Sequence, residues 1–67
     1  MAGWGDDPTL EELRRLVYEE GWAPTRVEER RDADTVWLAK GDETRELSSD
    51  HIAFHRFVEG LREDFNL

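Results

Sequence analysis

The sequence predicts an α+β domain of order α-β-β-β-α, a three-stranded antiparallel sheet with two helices packed on one face. Two observations predict it. Apolar residues recur at helical spacing towards both ends of the chain. Between them, two turn signals align four aliphatic side chains on one side of a sheet. A chain of 67 residues makes one domain. Residues 1–8, with Gly3, Gly5 and a lone Trp4, are expected to form a flexible tail, and residues 9–67 the domain.

The first helix has two candidate caps. Thr9 and Glu12 form a T-x-x-E capping box, in which the hydroxyl takes the N3 amide and the glutamate reaches back. Asp7-Pro8 is the alternative, with proline in the first turn. Leu10, Leu13, Leu16 and Val17 give the apolar stripe. Gly21 is placed to end the helix in a left-handed conformation, which in a Schellman motif sets Trp22 against Val17.

Three strands follow, expected at 25–31, 35–40 and 43–48, with breaks at Asp32-Ala33 and Gly41-Asp42. Gly41-Asp42 reads as a two-residue hairpin loop of type II′ or I′. If both breaks are two-residue loops, Val27 faces Leu38, Glu29 faces Val36, and Val36 faces Leu47. Facing residues share a side of the sheet, so Val27, Val36, Leu38 and Leu47 fall together. The second helix is expected to start at Ser48 or Ser49, with Asp50 in its first turn. Phe54, Phe57, Val58, Leu61 and Phe65 form its apolar stripe, with Gly60 on the far side.

The order helix, three strands, helix, and the stretch from Leu10-Glu11-Glu12-Leu13 through Gly21-Trp22-Ala23-Pro24, resemble double-stranded RNA-binding domains. The resemblance is one of topology. In that family a start of the second helix rich in small residues and lysine grips phosphates. The matching place here reads Ser48-Ser49-Asp50-His51, without lysine.

Charge bounds the function. Seventeen acidic residues against nine basic ones give a net charge of −8, a field that repels phosphates and favours basic partner surfaces. Eight of the nine cations are arginine and one is Lys40. This bias fits a GC-rich genome or a high-salt cytoplasm, and a halophile or phage protein is one origin consistent with it. Without cysteine there is no disulfide, thiolate zinc site or thiol nucleophile. No apolar run suits a secretory signal or a membrane span, so a cytoplasmic location is expected.

The uncovered sheet face is the candidate working surface. By the register above it carries Arg26, Glu28, Arg30 and Glu46 around Trp37, with Glu28 and Glu46 directly opposite the indole. Arginine and tryptophan are enriched at binding hot spots. These five residues are the expected partner-binding set. The alternative is that Trp37 packs under arginine stems or under the tail through Trp4.

The leading expectation is a small acidic protein-interaction module, a regulator or inhibitor that docks on a partner protein with a basic surface. Nucleic-acid binding through Arg26, Arg30 and Trp37, with a base stacked on the indole, is a second reading. A structural homodimer is a third. No catalysis is expected, because Ser48, Ser49, Asp50 and His51 are contiguous and read as a helix cap. His51, His55 and Glu59 share one helical rail with metal-ligand spacing. The spacing points to no further ligand or base, so the rail is assigned as amphipathic filler, with no metal and no cofactor. The Arg14-Arg15 and Arg30-Arg31 pairs read as salt-bridged solvent faces, with Glu11 four residues before Arg15.

Overall fold

The computed structural model describes residues 7–67, so the expectation for Trp4 lies outside the described residues. It has helix α1 (Pro8–Tyr18), strands β1 (Ala23–Glu29), β2 (Asp34–Lys40) and β3 (Glu43–Ser49), and helix α2 (Ile52–Asp64). The strands form one antiparallel sheet in the order β1-β2-β3. Helix α1 packs over β3, and α2 packs over β1, β2 and α1. The α-β-β-β-α architecture is thus the one the sequence predicts.

The core lies between the sheet and the two helices. Leu13, Val36, Leu38, Phe54, Val58 and Leu61 have 0–1% of their surface exposed. Val27 and Phe57 are half-buried against them. The four aliphatic sheet residues therefore share the covered face, as expected.

Several local details differ from the sequence reading. The cap of α1 is Asp7, with Pro8 at the first helical position, and not the Thr9–Glu12 box. Asp7 Oδ1 accepts from the Thr9 amide at 3.2 Å. Glu12 turns away to pair with Arg45 on β3. Gly21 does adopt the left-handed conformation (φ +82°), but the closing bonds are wider than a Schellman pair. The Trp22 amide donates to Leu16 O at 2.9 Å and Glu20 to Arg15 O at 3.0 Å. Arg15 pairs with Glu20, not with Glu11, and the Arg14 guanidinium lies 5.7 Å from the Phe57 ring centre.

The second hairpin has the expected register, with Lys40 facing Glu43 and Val36 facing Leu47. Gly41 alone takes a positive φ (62°), the pattern of a type II′ turn. The first hairpin does not close as expected. Its last pair is Glu29–Asp34, so 30–33 form a four-residue loop and Val27 faces Val36 rather than Leu38. The reason is conformational. A two-residue type I′ loop needs φ > 0 at both positions, and neither Asp32 nor Ala33 adopts it. The longer loop shifts the register by two residues. An even shift leaves each side chain on its face.

An irregularity between Pro24 and Arg26 restores pairing further on, with Pro24 opposite Leu38. Pro24 is thereby buried within an edge strand, where proline is tolerated at a bulge. Ser48 and Ser49 belong to β3, not to the second helix, whose cap is His51. Phe65 caps the other end of α2 and is 40% exposed, so it is not part of the packed stripe.

Candidate functional site

Alternation along the strands leaves one face of the sheet without a helix layer. Trp37 stands at its centre on the middle strand, flanked by Arg26 of β1 and Glu46 of β3. The register shift has replaced Glu28 by Arg26 as the neighbour of Trp37. Glu28 now faces Thr35. The Arg26 guanidinium lies over the indole, 5.0 Å from the ring centre, within cation–π range. Trp37 is half-buried as a result, and it is not enclosed in the core.

Glu28 is held from both sides. Arg26 Nη2 donates to Oε2 at 2.8 Å and Arg30 Nη2 to Oε1 at 2.7 Å. The arginines are about two-thirds exposed, and Glu28 is 29% exposed. Exposed pairs of this kind contribute about 0–1 kcal/mol each. Their larger effect is to fix the direction in which Arg26 approaches the ring. Arg30 itself has left the strand and reaches the face from the loop. Thr25 donates its hydroxyl to Trp37 O at 3.3 Å, and Thr35 and Ser48 hydroxyls meet at 2.8 Å. Beside Trp37 lies an open hollow of about 360 Å³ lined by Thr25, Arg26, Leu38 and Thr44.

Four of the five expected residues, Arg26, Glu28, Arg30 and Trp37, thus form one connected cluster. Glu46 sits across the indole from Arg26 on the neighbouring strand. The two arginines that a nucleic-acid reading would use are both paired with Glu28.

A second cluster lies on the helix-covered side. The His51–His55–Glu59 rail does not act together, because His51 caps α2 through Nδ1, which accepts from the Ala53 amide at 3.0 Å. His55 instead meets strand carboxylates. Its Nδ1 lies 2.6 Å from Asp34 Oδ2 and 3.8 Å from Glu29 Oε2, and its Nε2 lies 3.3 Å from Glu59 Oε2. Asp34 is only 3% exposed. The His55 pKa is raised above its ordinary value, first by the hydrogen bond to Asp34 and then by the charges of Asp34, Glu59 and Glu29; desolvation opposes them. Arg62 completes the group by pairing with Glu29.

Sequence reasoning missed Asp34 and Glu29. Parity along β2 was the available signal. Asp34 alternates with Val36 and Leu38 and so faces the helices. A carboxylate there requires a donor from the helix layer. Asp7 was named as an alternative cap, but its bond to Ser49 was not foreseen. Ser49 Oγ donates to Asp7 Oδ2 at 2.8 Å and accepts from the His51 amide at 3.1 Å. Asp7 and Ser49 thereby tie the start of α1 to the end of β3, across 42 residues.

No helix among the described residues is long and apolar enough to cross a membrane. Comparison of the chain with protein-family models, curated proteins and solved structures finds no match.

Proposed function

We propose that this chain is a small acidic interaction module, a regulator or inhibitor, that docks its open sheet face on a partner protein with a basic surface. The observation that carries the proposal is the half-buried Trp37 at the centre of an uncovered face, with Arg26 laid over it. An indole is a large anchor with few rotatable bonds, and here Arg26 holds it in place before any partner arrives. Such anchors near the middle of a patch contribute most of the binding energy at protein interfaces.

Charge supports the choice of partner. The net charge of −8 speeds encounter with a basic surface and slows it with an acidic one. Glu46 stands exposed on the same face as Trp37, and Asp42 in the turn of the same hairpin. The contact is taken to be made at a surface and not in a cleft, as suits a fold with so thin a core.

Affinity capture from the native host with wild type and Trp37→Ala in parallel tests this reading. A captured protein is then purified and its binding measured at increasing salt. Wild type should retain a partner that Trp37→Ala loses, with an on-rate that falls as salt rises. Trp37→Ala should lower stability by only about 1–2 kcal/mol, the sum of a strand-propensity difference and one cation–π contact. Retention of the partner by a folded Trp37→Ala chain would refute the proposal. Capture of nucleic acid, or concentration-dependent dimerisation through this face, would replace it by one of the other two readings.

A further inference from the structure

We infer that Glu29, His55 and Glu59 bind one divalent transition-metal ion, of which zinc is the type. The inference is independent of the docking face, since these residues lie on the opposite side of the sheet. One ligand atom from each of the three lies within 4.8 Å of the other two. Neighbouring donors around a tetrahedral zinc ion are about 3.4 Å apart, given metal–ligand bonds near 2.1 Å. The widest gap must therefore close by up to about 1.4 Å, within reach of an exposed glutamate side chain such as Glu59, which is 59% exposed.

The ring of His55 supplies the reason for a cation at this point. Buried Asp34 accepts at Nδ1, so Nδ1 carries the proton. In the neutral ring Nε2 then holds a lone pair, directed at a Glu59 oxygen 3.3 Å away. Two lone pairs at that distance repel unless something positive lies between or beside them. The candidates are a proton and a metal ion. A carboxylate on one imidazole nitrogen and a metal on the other is the arrangement that fixes ring and tautomer in metal sites.

Charge balance agrees. Among the described residues Glu29, Asp34 and Glu59 have one guanidinium paired with them, that of Arg62, which leaves two negative charges around the His55 ring once the metal has displaced its second proton. One divalent ion balances them. The donor set of one imidazole and two carboxylates favours zinc and its neighbours over magnesium and calcium, which take six or more oxygens. The bound ion would cross-link β1 to α2, with water completing its shell.

The test is a zinc chloride titration of EDTA-treated chain at a series of rising pH values, since the metal competes with the proton for the imidazole. Heat is recorded by calorimetry, and the ring resonances of both histidines by NMR. The expected result is one equivalent of zinc and a shift at His55 larger than at His51. Glu59→Gln and His55→Gln should each weaken binding roughly tenfold or more. His51→Asn, which keeps a capping acceptor, should bind as wild type does, and magnesium chloride should move neither histidine. Circular dichroism establishes that each variant is folded. Absence of binding up to millimolar zinc overturns the inference. So does affinity unchanged in both Glu59→Gln and His55→Gln, or a loss in folded His51→Asn as large as theirs.

Discussion

Replacing Asp7 by alanine removes two interactions at once, and their sizes can be set from the structure. Oδ1 accepts from the Thr9 amide, and loss of such a cap costs about 1 kcal/mol. Oδ2 accepts from Ser49 Oγ, and a hydrogen bond to a charged group contributes about 1.5–3 kcal/mol. The second loss is partly offset, because Ser49 Oγ still accepts from the His51 amide. The expected total is about 2–3 kcal/mol, against a stability on the order of 3–10 kcal/mol for a domain of this size. The midpoint of thermal unfolding, followed by circular dichroism, should fall by roughly 10–20 °C. Asp7→Asn, which keeps the capping oxygen but gives up the carboxylate acceptor for Ser49, should lose about 1–2 kcal/mol of that total. Thr9→Ala is the decisive control, because Thr9 gives its backbone amide to the cap and alanine is the better helix former. It should be neutral or slightly stabilising. If Thr9→Ala destabilises as much as Asp7→Ala, the assignment of the cap is wrong.

Three further outcomes can be checked. The folded-state pKa of His55 is raised, so its stabilising contribution is fully present below the unfolded value of about 6.5 and is lost as pH rises through the folded value; urea unfolding against pH in EDTA should show this decline, and His55→Gln should flatten it. Gly60 lies inside α2 with open space around a would-be Cβ, so Gly60→Ala should gain up to about 1 kcal/mol, whereas Gly21→Ala, at φ +82°, should lose about 1 kcal/mol or more; chemical denaturation measures both. Cross-strand NMR contacts in the first hairpin should join Val27 to Val36 and Glu29 to Asp34; contacts joining Val27 to Leu38 would reinstate the two-residue loop.

The fold was legible because hydrophobic period and parity are robust to small errors. Val27, Val36, Leu38 and Leu47 share a face in both the expected and the observed register, since the two differ by an even step. Trp37 was placed outward by the same parity, and the structure leaves it there. What parity cannot supply is the identity of the cross-strand neighbour: packing of Trp37 under an arginine was one of the two readings, but Glu28 was put opposite the indole where Arg26 stands. Loop length decided that pairing. It depended on the refusal of Asp32-Ala33 to adopt positive φ, a preference weaker than that of the glycine in the other hairpin. The acid–histidine cluster needed three elements at once, and a helical rail read alone grouped His55 with His51 and Glu59 but not with Asp34 and Glu29 of the strands. The boundary of α2 was misread because serines serve equally as caps and as strand ends; here Ser48 bonds across the sheet to Thr35.

The two rims of the sheet are unequal. The outer rim of β1 is broken by Pro24, which has no amide hydrogen to give, and by the irregularity beside it. Strand β3 runs from Glu43 to Ser49 with a regular register and no proline. Proline and the irregularity thus bar strand-by-strand recruitment of further copies along β1. Two molecules joined along β3 would leave only proline-broken rims outward, so such an assembly terminates as a pair and does not propagate into a fibre.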